Sequence, residues 1–219
     1  MKIKWLGHAC FLFTSAKGLK IITDPYKSGD PINYGEINES ADVILISHEH
    51  FDHNYPAAVK GTPTIIKTTG ISEAKGIKFN GIAAFHDDTN GSQRGKNTIF
   101  VFEIDGIRVC HLGDLGHVPD KKLIGEIGKV DILFVPVGGL YTIDGNTATE
   151  VISKLSPKVA IPMHFLTLRL DASKFGQVSG PENFLKGKNN VRRLDTSEID
   201  INAETLPALT QIIVCKPDR

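Results

Sequence analysis

The chain lacks an excess of either charge: 25 Lys and Arg balance 25 Asp and Glu in 219 residues. That balance weighs against a broad basic face for nucleic acid. Basic runs such as Lys121-Lys122 and Arg192-Arg193 are short pairs and read as solvated surface. No stretch approaches the ~18 consecutive apolar residues of a membrane span. Met1-Lys2-Ile3-Lys4-Trp5-Leu6 holds neither a long apolar region nor a small-residue cleavage site, so the expected compartment is the cytoplasm. Cysteine is scarce. Cys10, Cys110 and Cys215 are far apart, odd in number and form no C-x-x-C pair, so buried thiols rather than a disulfide framework are expected. Neither an internal repeat nor a low-complexity linker is visible. A single domain over 1–219 with a substantial core is expected.

One segment departs from this even background. Ser47-His48-Glu49-His50-Phe51-Asp52-His53 carries the pattern His-x-His-x-Asp-His. Imidazole nitrogen and carboxylate oxygen are the ligands that borderline cations such as zinc prefer. With eight histidines and fifteen aspartates available, chance produces the pattern in about one per thousand such chains. The competing reading is a His-rich polar surface loop. The flanks favour a site. Asp42-Val43-Ile44-Leu45-Ile46 reads as a buried strand, and the histidines begin two residues after it. Residues i and i+2 do not share a helix face, so His48 and His50 cannot grip one ion from a helix. A loop at a strand's end can turn both inward. Asn54 or Tyr55 followed by Pro56 reads as a helix start. The motif thus falls between a strand's carboxyl end and a helix amino terminus, a common place for sites in α/β proteins.

Strands are expected over 3–6, 10–14 and 19–23 as a meander, with a turn at Ala16-Lys17-Gly18, then over 42–46 and 64–67. Further strands are expected over 77–85, 98–104 and 107–112, the last two joined by an Asp105-Gly106 hairpin turn. Residues 132–135, 159–161 and 211–215 complete them. Helices are expected over 121–127, 147–155 and 181–186. The second would be capped by Asn146 or Thr147, with Glu150 completing a capping box, and the third would stop at Gly187. Antiparallel strands first, then strands alternating with helices, suggest two packed sheets with helices outside.

A two-ion site needs six or seven ligands, and later strand ends supply candidates. His86 follows Ile82-Ala83-Ala84-Phe85, Asp114 follows Val109-Cys110-His111-Leu112-Gly113, and His164 follows Val159-Ala160-Ile161-Pro162-Met163. His111 and His117 compete with His86. His111 lies within an apolar strand at a parity different from Asp114, which predicts a structural histidine. His117 is a candidate pocket residue. His8, at the end of the first strand, is a candidate to support a ligand or line the pocket, with a structural role as its alternative. Asp24 precedes Pro25 at a strand end. It is expected to orient a ligand loop, because ligating histidines usually donate their other N–H to a carboxylate or carbonyl. A simple turn-forming Asp is the alternative.

These residues resemble the metallo-β-lactamase fold superfamily of hydrolases. That superfamily carries His-x-His-x-Asp-His, then a lone His, then Gly-Asp after a strand, then a lone His. The same order occurs here as His48, His50, Asp52, His53, His86, Asp114 and His164. Gly7-His8-Ala9, Thr23-Asp24-Pro25, Leu112-Gly113-Asp114 and Pro136-Val137-Gly138-Gly139 are similar to the group that includes ascorbate-6-phosphate lactonase. The resemblance implies an α/β, four-layer αβ/βα sandwich. It implies two divalent ions, zinc first with Mn, Fe or Ni as alternatives. His48, His50 and His86 would hold one ion. Asp52, His53 and His164 would hold the other, and Asp114 would bridge them.

The activity so implied is a binuclear metal-dependent hydrolase, with a metal-bridging hydroxide cleaving an ester-like bond, a lactone or phosphodiester, in a small soluble molecule. Asp52 and Asp114 would be its catalytic carboxylates. His50 stands where flavodiiron relatives carry glutamate, which favours hydrolysis over redox chemistry. No added domain or basic arm of the glyoxalase II or RNA-processing kind is apparent, so neither nucleic acid nor a membrane is expected as a partner. The alternative is a metal-binding protein that senses or scaffolds without turnover. Candidates for substrate contact are Tyr141, in a Gly138-Gly139 loop that permits close approach to a ligand, with packing on the sandwich as its alternative, and Arg94, Lys96 and Arg169, for which solvated surface charge is the first reading and an anion contact the alternative.

Overall fold

The computed structural model describes residues 1–218. The chain opens with β1 (Lys2–Gly7), β2 (Cys10–Thr14) and β3 (Lys20–Thr23), an antiparallel meander. β4 (Val43–Leu45) and β5 (Thr64–Ile66) then add in parallel. β6 (Gly70–Ala74), β7 (Ile77–Phe85), β8 (Lys96–Ile104) and β9 (Ile107–His111) form a second antiparallel run. α1 (Lys121–Ile127), β10 (Ile132–Pro136), α2 (Gly145–Leu155) and β11 (Val159–Met163) follow, then the short α3 (Ala172–Phe175) and α4 (Glu182–Leu185). β12 (Val191–Arg193), β13 (Glu198–Asp200) and β14 (Gln211–Val214) close the chain. The strands make a six-stranded sheet, β13-β1-β2-β3-β4-β5, and an eight-stranded sheet, β12-β14-β11-β10-β9-β8-β7-β6.

Alternation along each strand divides its side chains between two faces. In β2, Phe11 and Phe13 join the core between the sheets, while Cys10 and Leu12 join a separate outer cluster. Phe11 meets Phe134 of β10 at a ring separation of 4.5 Å, and Phe13 meets Phe102 of β8 edge-on at 5.4 Å. This core continues to the apolar sides of α1 and α2. The outer face of the first sheet is covered mainly by irregular chain, through Tyr26, Tyr34 and Ile37, with Phe175 of α3. Cys10, Cys110 and Cys215 are buried, and no disulfide joins them.

Several local expectations change. α2 begins at Gly145, capped by Asp144, whose carboxylate accepts the Thr147 N–H at 2.8 Å. Asn146 and Thr147 are therefore inside the helix. An Asp just upstream supplies the acceptor that the capping-box reading assigned to Thr147. The helix start read at Pro56 is one 3-10 turn, Pro56–Ala58. The helix expected over 181–186 spans Glu182–Leu185. β6, β12, β13 and α3 were not expected. β6 is a largely exposed edge strand, and the other three span only three or four residues, too few for periodicity to register. The hairpin turn at Asp105-Gly106 has φ of 52° and 74°, as a type I′ turn requires. Among the described residues, no helix is long and apolar enough to cross a membrane.

The topology brings six strand ends to one edge. β1, β3 and β4 run in one direction in the first sheet, and β7, β9 and β11 share a direction in the second. The residues just beyond their carboxyl ends include His8, Asp24, His48, His86, Asp114 and His164.

Candidate metal centre

The chain turns sharply on leaving three of these strands. His8, Asp24 and His164 have φ of 54°, 41° and 49°, a left-handed conformation that costs a non-glycine residue about 1–2 kcal/mol. Gly113, with φ 54°, makes a fourth such turn. A Cβ there would sit 2.4 Å from Asn97 Oδ1 and 2.6 Å from Ser47 Cβ. The glycine thus lets the loop bearing Asp114 press against the loop bearing His48. Asn97 holds that loop from below, donating to the Leu112 carbonyl at 2.8 Å and accepting the Asp114 N–H at 3.0 Å.

Four imidazoles converge on one carboxylate oxygen. Asp114 Oδ2 lies 3.1 Å from His164 Nε2, 3.2 Å from His53 Nε2, 3.2 Å from His86 Nε2 and 3.9 Å from His48 Nε2. His50 packs beside them, its ring 4.6 Å from that of His48 and 4.9 Å from that of His86. Possible ligand atoms fall into groups whose members lie within 4.8 Å of one another. One is His48, His50 and His86; another is Asp52, His53 and His164 with His8; a third joins His48, His53 and Asp114.

Asp24 is the hub behind the motif. Its Oδ1 accepts the Ser47 N–H at 2.7 Å, and its Oδ2 accepts the Ser47 hydroxyl at 2.7 Å and His53 Nδ1–H at 3.1 Å. Ser47 Oγ lies 2.9 Å from His48 Nδ1. With its hydrogen committed to Asp24, that oxygen accepts from His48. The network therefore places hydrogens on Nδ1 of both His48 and His53, so that Nε2 is the nitrogen of each ring left to face a cation. His8 Nε2 lies 3.1 Å from Asp52 Oδ2 and holds that carboxylate from the other side.

The electrostatics are those of a buried cluster. Burial pushes the His48 imidazole down to about 3 and, with help from His164, the His8 imidazole down to about 4. Burial opposes the charge on Asp114, yet His164 and His53 hold its carboxyl well below the usual range. Burial also opposes the charge on His53, but Asp114 and Asp52 outweigh it and raise that imidazole. Asp52 likewise stays ionised against burial because of His53 and His8.

The donor set fits a cation. His48 Nε2, His53 Nε2 and Asp114 Oδ1 are buried without a hydrogen-bond partner. Orphaned buried polar atoms are costly. One carboxylate oxygen also cannot accept from all the imidazoles around it, since it offers two lone pairs. Divalent ions among these atoms satisfy both conditions, and imidazole with carboxylate is a donor set suited to Zn, Mn, Fe or Ni.

A cavity of about 300 Å³ opens on this cluster. His50, Asp52, His86, Asp114 and His164 line it, together with Phe51, Arg94, Tyr141 and Phe175. His117 is set apart. Its Nε2 accepts the Phe85 N–H at 3.3 Å, and it lines a different depression near α1. The pocket expected from its place in the sequence is therefore not this one, because its ring is tied back onto the end of β7. His111 is structural, with Nε2 3.0 Å from the Ala9 carbonyl. Arg169 does not line the cavity, and Lys96 faces a neighbouring groove behind His48 and His50. Gly138 admits protein rather than ligand: a Cβ there would meet the His164 carbonyl at 2.3 Å. Sequence reasoning missed the roles of Ser47 and Asn97. Ser47 touches the motif and could have been suspected, whereas Asn97 carries no local signal.

Comparison with known proteins agrees with this geometry. Residues 2–164 match the model of the β-lactamase superfamily domain. A UPF0173 metal-dependent hydrolase of Thermoplasma acidophilum is 33% identical over 207 residues, 82% of this chain and 91% of that protein. A metal-dependent hydrolase of Archaeoglobus fulgidus is 34% identical over 199 residues, 78% and 85% of the two chains. The crystal structure of a candidate Zn-dependent hydrolase of the metallo-β-lactamase superfamily from Thermotoga maritima superposes with a TM-score of 0.79. It has 39% identity and covers 98% of this chain and 97% of its own. The two-sheet sandwich is thus that of a family, and this chain belongs to the metallo-β-lactamase superfamily, among relatives named metal-dependent hydrolases.

Proposed function

We propose that the protein is a binuclear metal-dependent hydrolase that cleaves an ester-like bond, a lactone or a phosphodiester, in a small cytoplasmic metabolite. The observation that carries this reading is the convergence of four imidazole Nε2 atoms on Asp114 Oδ2 at the floor of an open cavity. His48, His50 and His86 would hold one ion and Asp52, His53 and His164 the other, with Asp114 between them. Zinc is the leading ion, with Mn, Fe and Ni as alternatives. When bound, such ions lower the pKa of water to about 7 and polarise a carbonyl or phosphoryl oxygen.

The chain's own residues do the rest. Asp24 and Ser47 set the imidazole tautomers. His8 fixes the rotamer of Asp52, whose ionised carboxylate orients the attacking water. Phe51 and Phe175 add apolar surface to the same cavity. The open cavity favours turnover over a scaffold role, because a purely structural site closes its coordination sphere with protein ligands.

The test is metal analysis of protein purified without chelator, followed by a screen of the metal-reconstituted protein against lactones, bis-p-nitrophenyl phosphate and thioesters. More than one equivalent of metal and turnover of one of these classes is expected. Sub-stoichiometric metal, or turnover that requires an electron donor, overturns the reading.

A further inference from the structure

We infer that Arg94 recognises a negative charge on the substrate, so that this site takes a small molecule bearing a carboxylate or phosphate group apart from the bond that is cleaved. The inference rests on the hydrolase reading above and adds the substrate class. Arg94 and Tyr141 line the same cavity as His86 and Asp114, and the guanidinium carbon lies over the Tyr141 ring, 4.5 Å from its centre. A cation held over a ring face still has N–H donors to offer an anion. Among the described residues, no carboxylate stands in ion-pair range of Arg94. The other cation at the cavity, Lys174, is already paired with Asp30.

The loop that carries Arg94 is built to hold it. Asp87, next to the candidate ligand His86, accepts the backbone N–H groups of Thr89, Gly91, Gln93 and Arg94 at 2.9, 2.8, 3.1 and 2.7 Å. It also accepts the Thr89 hydroxyl at 2.8 Å. The His86 N–H closes the loop on the Gly95 carbonyl at 3.1 Å. One carboxylate thereby fixes Arg94 relative to His86. A solvated surface arginine would lose rotamer freedom on meeting an anion. This half-buried one, held over the Tyr141 ring, has already lost much of it, so less is lost on binding. A forked N–H donor matches the two oxygens of a carboxylate or phosphate. A cavity of about 300 Å³ is at the small end for ligand sites and suits a small anionic molecule.

The test separates anion recognition from catalysis by using metal-binding probes. Metal-loaded wild type, Arg94→Gln and Arg94→Lys are titrated calorimetrically with propionohydroxamate, with succinic monohydroxamate and with the phosphonate analogue of the latter. All three present the same hydroxamate to the metals, and only the last two carry a further anion. Wild type is expected to bind at least one anionic probe roughly 10- to 100-fold more tightly than the neutral one. Which of the two gains more tells a carboxylate site from a phosphate site. Arg94→Gln should bring the ratio close to one, and Arg94→Lys, which keeps the charge but not the fork, should fall between. A wild-type ratio near one, or a ratio that survives in Arg94→Gln, overturns the inference while leaving the hydrolase reading intact. Anion preference without turnover of any ester supports the Arg94 site and refutes the hydrolase reading. Failure of every hydroxamate to bind the metal-loaded protein overturns this inference, because the anion then gains no hold in the cavity.

Discussion

Asp24→Asn is the most discriminating single change. Asn tolerates the left-handed conformation that Asp24 adopts at φ 41°, and it fits the same space. Its remaining carbonyl oxygen can still accept the Ser47 N–H that Asp24 Oδ1 accepts at 2.7 Å. What changes is the second position, where an NH₂ would face the Ser47 hydroxyl and His53 Nδ1, both donors to Asp24 Oδ2 in wild type. His53 relieves the clash by moving its hydrogen to Nε2, the atom 3.2 Å from Asp114 Oδ2, which is the wrong tautomer for a metal ligand. Ser47 loses the acceptor that keeps its oxygen available to His48. Losing such an outer partner typically costs 10–100-fold in metal affinity, about 1.4–2.8 kcal/mol. Competition against a chromophoric zinc chelator measures that loss, and far-UV circular dichroism checks that the fold persists. If Asp24→Asn binds zinc within about threefold of wild type, Asp24 is a turn residue only, and the tautomer argument fails.

Four further outcomes follow from the same geometry. Asp114→Ala should lower occupancy of both ions in metal analysis, and Asp52→Ala should abolish turnover with little change in circular dichroism; unchanged hydrolysis in both would leave the hydrolase reading unsupported. Stripping the protein with a chelator should lower Tm and re-addition of zinc should restore it, because ions that bind only the native cluster stabilise it by mass action; a Tm indifferent to both would refute the metal centre. Gly113→Ala should cost about 1–3 kcal/mol in urea denaturation through overpacking against Asn97 and Ser47, more than Gly18→Ala, where φ is 83° but nothing lies within 4 Å of the added Cβ. Phe134→Ala, at the fully buried centre of the inter-sheet core, should cost about 3–5 kcal/mol by the same assay.

The sequence alone was informative wherever a local rule applied. Alternation and turn chemistry located most strands, including the Asp105-Gly106 hairpin, because side-chain period and positive φ are properties of neighbouring residues. The His48 to His53 motif, and the placing of His86, Asp114 and His164 just beyond strands, were legible for the same reason. The three-residue β12 and β13 and the exposed β6 were not, since too few residues contact a core to impose a pattern. Only the tertiary structure decided which strand ends lie side by side. Sheet order brings β1, β3 and β4 opposite β7, β9 and β11, and so brings Asp114 within reach of His48, His53, His86 and His164. The supporting residues follow from that pairing. Asn97 reaches Asp114, Asp24 reaches His53 and Arg94 covers Tyr141 across 17, 29 and 47 positions of sequence. No periodicity encodes such contacts, because they depend on how whole sheets twist and pack rather than on any residue's neighbours in the chain.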